Sequence, residues 1–142
     1  MNPESILLPM AALAALTFVV LLVIPYKRIG AGRKGLVTYR DFKYGESEKV
    51  PPDVRIPNRN LMNLLEMPML FYVACVTFYV TKRVDVSVVV LAWVYVGLRV
   101  VHSAVHLTYN RVRDRLIVYA ASNVVLAILW IRVFRALLSV SG

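Results

Sequence analysis

Four long apolar runs, separated by short polar segments, form most of this chain. They cover residues 5–26, 61–81, 86–110 and 116–138. The first run contains no charged residue, while Glu66 and Arg99 are the acidic or basic residues inside the second and third. A bilayer core of ~30 Å is crossed by about 20 helical residues. The pattern therefore predicts four membrane-spanning helices.

Composition agrees with this pattern and limits the fold class. Hydrophobic residues make up 59% of the 142 residues and the mean hydropathy is +0.65, against roughly 45–50% apolar residues in soluble domains. The first run is longer than the apolar part of a signal peptide and lacks a basic start, so we interpret it as a retained helix. We expect one all-α domain over residues 1–142, an integral membrane four-helix bundle with its last three helices as antiparallel neighbours.

The basic residues are unevenly distributed, and this predicts an orientation. The net charge is +9, and segment 27–59 holds nine Lys or Arg against four acidic residues. By the positive-inside rule, the loop 27–60 and the third connection are cytoplasmic, and both termini lie outside the cytoplasm. Beside membrane spans, basic residues favour anionic lipid headgroups over nucleic acid. The loop is either disordered or packed in part on the membrane surface through Tyr39, Phe42 and Tyr44.

Polar side chains form a stripe on each of the two central runs. Just before and within the second run, Arg59, Asn63 and Glu66 are spaced by four and three, so they share one face of the predicted helix. The third carries Tyr95, Arg99, His102 and His106 at similar spacing. The predicted orientation puts both stripes at the same depth, near the cytoplasmic end. Charges facing lipid cost about 2.5–3.5 kcal/mol each, so we expect the stripes to face each other around a pocket. Its excess of cations suits a polyanionic ligand that also carries an amine.

Several simpler interpretations remain open for these residues. Glu66 and Arg99 would also fit a structural salt bridge that fixes helix register. His102 and His106, four residues apart, would suit a metal together with Glu66, but no further ligand pattern supports this and we expect no metal site. Arg59 would also fit a side chain that extends to the headgroups. Cys75, in mid-span, is expected to serve packing.

The same residues resemble the MAPEG superfamily, membrane-associated proteins in eicosanoid and glutathione metabolism. The family's second helix commonly reads Arg, three residues, Asn, two residues, Glu and then a nearby Pro, matched here by Arg59, Asn63, Glu66 and Pro68. The motif of its third and fourth helices is matched by Arg99, His102, Ser103, His106, Arg111, Arg115 and Tyr119. The four-span plan and the basic first loop also fit, so the resemblance covers nearly the whole chain.

The resemblance implies a homotrimer with glutathione at the subunit interfaces, near the cytosolic surface. By position, Arg59, Asn63 and Glu66 would hold the carboxylate and amine ends of the tripeptide, and Lys27 or Arg28 would add a cation. The remaining matched positions would line the pocket: Arg99, His102, His106, Arg111 and Tyr119. Arg115 would be the catalytic residue that stabilises the glutathione thiolate.

Three hypotheses for function follow. The first is a glutathione-dependent transferase or peroxidase acting on lipophilic electrophiles or hydroperoxides. The second is a non-catalytic lipid-binding or scaffold protein of the same fold, and the third is a small transporter relaying protons through Glu66 and the histidines. His106 stands where the family usually has Tyr, Leu116 where one branch has Ser, and Pro68 comes early. These departures argue against eicosanoid substrates.

Overall fold

The part of the protein that the structure describes is a bundle of four long α-helices. The structure, a computed structural model, describes residues 2–138. The helices are α1 (Leu7–Arg33), α2 (Pro52–Val80), α3 (Val86–Leu107) and α4 (Val112–Leu138), with a 3-10 turn before α1. All four are long and apolar enough to cross a membrane. The predicted all-α, four-helix membrane architecture is confirmed.

The helices extend beyond the apolar runs at the end where the basic residues lie. α1 continues to Arg33, and α2 begins at Pro52, so both reach into the segment 27–60 that the sequence suggests as a loop. Lys and Arg are good helix formers, and Pro is well suited to the first turn of a helix. With 27 residues, α1 is roughly 40 Å long. It is therefore longer than the hydrocarbon core, and its basic end emerges from it.

The core of the bundle lies along the contact lines of all four helices. α1 packs most extensively on α2, and α3 on α4. At the centre, the rings of Phe71 on α2 and Tyr95 on α3 stack with centroids 4.6 Å apart, and both side chains are fully buried. Cys75 is buried in the same cluster, as its predicted packing role requires.

The outer surface of the bundle is strongly apolar. Leu22, Phe18 and Val80 each expose about two thirds of their surface, at 69%, 65% and 69%. Such side chains extend over the length of the helices, far beyond the apolar patches of soluble monomers. This surface suits the acyl chains of a bilayer, as expected for an integral membrane protein.

The loop between α1 and α2 is folded around a small core of its own. Ala31, Val37, Val50 and Val54 are buried there with Phe42 packed against them. Asp41 accepts hydrogen bonds from the backbone N–H (2.8 Å) and hydroxyl (2.9 Å) of Thr38 and from the Ser47 hydroxyl (3.1 Å). These bonds, the backbone one foremost, hold the pKa of Asp41 below its usual value. The loop is thus ordered, whereas Tyr39 and Tyr44 are exposed.

At the opposite end of the bundle, Asp85 joins the start of α3 to α4. Its carboxylate caps α3 by accepting from the backbone N–H of Val88 (2.9 Å) and pairs with Arg132 on α4. A hydrogen bond from the Ser87 hydroxyl, the bond from Val88 and the charge of Arg132 hold the pKa of Asp85 below its ordinary value of 3.8.

We expect Asp85→Ala to lower the free energy of unfolding by about 1 kcal/mol, since a helix cap is lost. Asp85→Asn keeps an equally good cap and should lose less. Because the folded pKa is depressed, the contribution of the charge is present at neutral pH and is lost as the pH falls through the folded pKa, below 3.8. Unfolding in detergent at pH 7 and in acid measures both effects. Equal losses for Ala and Asn at pH 7 would contradict the capping role.

Candidate functional site

A buried arginine lies between α2 and α3. The Arg99 side chain is completely buried, and its Nη2 donates to the Asn63 backbone carbonyl (2.9 Å) and to Asn63 Oδ1 (2.5 Å). Its Nε and Nη1 have no hydrogen-bond partner among the described residues. A buried cation is costly unless it is paired and hydrogen-bonded. Two amide oxygens solvate one corner of this guanidinium and leave its charge uncompensated.

The acidic residue of the α2 stripe is not the partner of Arg99. Within residues 2–138, neither Glu66 nor Arg99 takes part in an ion pair, and Glu66 is exposed on the outer flank of α2. The expectation that both ionic stripes pair inside the bundle is wrong for Glu66. Three residues along a helix turn by about 300°, so when Asn63 points at Arg99, Glu66 points about 60° further outward.

A second polar contact joins the same two helices. The Ser103 hydroxyl donates to Asn60 Oδ1 (3.3 Å), and both residues are buried. Asn60 is absent from the predicted site. It precedes Asn63 by three residues and is rotated from it by about 60° in the direction opposite to Glu66, which keeps it against α3. Asn60 and Asn63 together fix the register of α2 against α3.

The two histidines of α3 lie beside the arginine. His102 and His106 are buried, with rings nearly parallel (10°) and centroids 5.7 Å apart. Both ring nitrogens of His102, and Nδ1 of His106, have no partner among the described residues. The charges of Arg115 and Arg59 act on His106, and those of Arg99 and Arg115 on His102. This part of the bundle therefore concentrates positive charge and unpaired polar groups.

The beginning of α4 closes this region. Arg115 Nη1 donates to Asn110 Oδ1 (2.8 Å), and Asn110 has a left-handed backbone with φ of 45°. The Tyr119 ring contacts His102 edge-on, with centroids 5.7 Å apart, and lies 5.9 Å from the Arg99 guanidinium carbon. A cavity of about 200 Å³ opens here, lined by Asn63, His102, Val112, Arg115, Leu116 and Tyr119.

Three other predicted site residues, Arg28, Arg111 and Arg59, do not line this cavity. Arg28 pairs with Glu46 (3.0 Å) and stacks on Phe42 at 4.5 Å, so its charge is used within the loop core. Arg111 is mostly exposed and lies 3.9 Å from Asp114. Neither lines the cavity. Arg59 is exposed on α2, within electrostatic reach of His106.

The model of the MAPEG family matches residues 6–135, nearly the whole sequence. The chain belongs to the MAPEG family. Comparison with curated proteins and with solved structures gave no match.

MAPEG proteins are glutathione-related transferases and peroxidases or non-catalytic proteins, they commonly use glutathione, and they are generally oligomeric. The size of the cavity limits what a single chain can bind. Its volume of about 200 Å³ is below the roughly 300–1,000 Å³ of small-molecule sites. No group of three or more His, Cys, Asp or Glu suited to a metal occurs among residues 2–138.

We expect Asn63→Ala to lower the free energy of unfolding by about 2 kcal/mol, because a hydrogen bond to a buried cation is lost. Glu66→Ala, one turn away but exposed, is the matched control and should change it by less than about 0.5 kcal/mol. Unfolding in mixed micelles measures both. Equal effects of the two variants would contradict the assigned role of Asn63.

Proposed function

We propose that this protein is a glutathione-dependent membrane transferase or peroxidase acting on lipophilic electrophiles or hydroperoxides. The observation that carries the proposal is the cavity beside Arg99, His102 and Arg115. Among residues 2–138, buried polar atoms of Arg99 and His102 lack a hydrogen-bond partner there, and neither arginine pairs with a carboxylate. A buried region with uncompensated positive charge favours an anion as its occupant. Family membership makes glutathione the leading candidate for that anion.

The groups present fit the functional groups of glutathione. The tripeptide carries two carboxylates, an ammonium group and a thiol, so it needs more cationic than anionic partners. Arg115 lines the cavity and is not fully buried. Arg59 is an exposed cation whose charge reaches His106, and Glu66 on the α2 flank offers an acceptor for the ammonium group. Asn63 acts as a positioning residue for Arg99 through its two hydrogen bonds.

Arg115 is the residue proposed to act on the thiol. A free thiol has a pKa of about 8.5, and a neighbouring guanidinium lowers it by favouring the charged form. When bound, glutathione would supply the thiolate sulfur, which forms a bond to an electrophilic carbon as the leaving group departs with its electron pair. With a hydroperoxide, the sulfur would take the terminal oxygen as the O–O bond breaks and the alcohol leaves, and a second glutathione would convert the resulting sulfenic acid to the disulfide and water. Asn110 holds the Arg115 guanidinium at the cavity wall through Nη1, which leaves its other nitrogens available to the thiolate. The protein thus contributes positioning and charge stabilisation.

The rest of the binding site is proposed to come from a neighbouring subunit. A cavity of about 200 Å³ is small for a tripeptide, and it is bordered by α2 and α4 surfaces that are exposed in the single chain. Assembly into a trimer, as the family resemblance implies, would cover these surfaces and deepen the cavity. In the same proposal, the cavity end is cytoplasmic, with both termini on the other side.

The test of this proposal is the Arg115→Ala variant. We expect turnover of a lipophilic electrophile with glutathione to fall about 100-fold, as for removal of one donor to a developing anion. The thiolate absorbance seen on adding glutathione at pH 7 should be lost and should return only as the pH approaches about 8.5. Arg113→Ala, an exposed position in the same helical turn, is the matched control and should behave as the wild type.

Two outcomes would contradict the assignment. Unchanged turnover in Arg115→Ala would remove Arg115 from the chemistry. Absence of both turnover and thiolate absorbance in the folded wild-type protein would favour the non-catalytic lipid-binding alternative instead.

A further inference from the structure

A second cavity lies outside the candidate site, where α1 leaves the apolar part of the bundle. It measures about 550 Å³, and its walls come from the end of α1, the residues that follow it and the start of α2. This volume is within the range of small-molecule sites. We propose that this cavity binds the phosphate headgroup of an anionic phospholipid from the adjoining leaflet, with the upper part of an acyl chain on its apolar wall.

The charge of the cavity supports an anionic headgroup. Lys27, Arg33 and Lys34 line it, with Asp53 as the acidic lining residue. Asp53 lies 3.9 Å from Lys27, a distance at which a partly exposed pair contributes little. Arg33 and Lys34 are exposed and form no ion pair with any carboxylate in the described part of the chain. Two cations are therefore available to a ligand.

The apolar part of the lining supports a lipid over a free anion. Tyr26, Ile29 and Leu36 line the same cavity and are exposed by 76%, 56% and 56%. Tyr26 ends the uncharged run of α1, the position where aromatic residues mark the membrane interface. A site that combines cations with apolar side chains at this depth matches an amphiphile lying in the interface.

The wall of the cavity is held in place by the end of α1. Gly35 has φ of 70°, and its N–H donates to the Gly32 carbonyl (2.9 Å) while the Leu36 N–H donates to the Ala31 carbonyl (3.0 Å). These two bonds form a Schellman cap, which needs the left-handed glycine. The cap fixes Lys34 and Leu36 on either side of the turn, so the site is preformed rather than assembled by the lipid.

A substitution at one glycine can fill part of the cavity without altering its charge. Gly30 lines it, and a Cβ added there meets no atom within 4 Å. A leucine at this position would therefore extend into open space without a clash. Gly30→Leu therefore tests whether lipid binding needs the free volume of the cavity. Arg33→Gln with Lys34→Gln tests whether it needs the positive charge of the cavity.

The experiment is native mass spectrometry of the full-length protein in detergent, titrated with dioleoylphosphatidylglycerol or dioleoylphosphatidylcholine. We expect the wild type to retain the anionic lipid about tenfold better than the zwitterionic one, given the attraction of each basic residue to anionic lipid. Arg33→Gln with Lys34→Gln should lose this preference, and Gly30→Leu should retain less of both lipids. Lys43→Gln with Lys49→Gln, the same charge change at exposed loop positions outside the cavity, should match the wild type.

Four results would overturn the proposal. Equal retention of the two lipids by the wild type, or unchanged preference in the Arg33 and Lys34 double variant, would remove the headgroup site. Displacement of the lipid by an equal concentration of inorganic phosphate would identify a free anion as the ligand. A change of oligomeric state in the same spectra, without a change in lipid retention, would identify the cavity as a contact between copies of the chain.

Discussion

The arrangement of this bundle depends on one solvation problem, a guanidinium buried between apolar helices. Arg99 is fully enclosed and is solvated by the two oxygens of Asn63. Polar groups inside a membrane protein must find partners in the protein, since lipid offers none. The register of α2 against α3 is therefore set by Asn63 and, one turn earlier, by the Asn60–Ser103 hydrogen bond. The charge that these amides leave uncompensated is the basis of the anion site proposed in the neighbouring cavity.

The sequence is sufficient to predict the helices because their cause is local. An apolar run of span length has few alternatives to a membrane helix, and the four runs all become helices. The face of α3 that carries Arg99 and His102 was also predictable, since helical spacing alone determines which residues share a face. That these residues meet Asn63 follows from placing both stripes at one end of the bundle.

The partners of individual charges were not predictable in the same way. Glu66 shares a stripe with Asn63, yet the two side chains point in directions about 60° apart around the helix axis. Asn63 therefore contacts Arg99, whereas Glu66 is exposed. Arg28 was predicted to add a cation to the ligand pocket, but it pairs with Glu46 and stacks on Phe42 in the loop core. No periodic pattern in the sequence indicates that core. These outcomes depend on helix rotation and loop folding, which are set by contacts distant in sequence. The same holds for Asn110, whose left-handed backbone brings its side chain to Arg115.

The proposed function requires that the region around Arg99, His102 and Arg115 binds an anionic thiol. Isothermal titration calorimetry of glutathione into the detergent-purified protein tests it most directly. We expect saturable binding that weakens as ionic strength rises, because exposed cations at the edge of the cavity are screened by salt. Heats no larger than those of dilution, in a protein that remains folded, would contradict it.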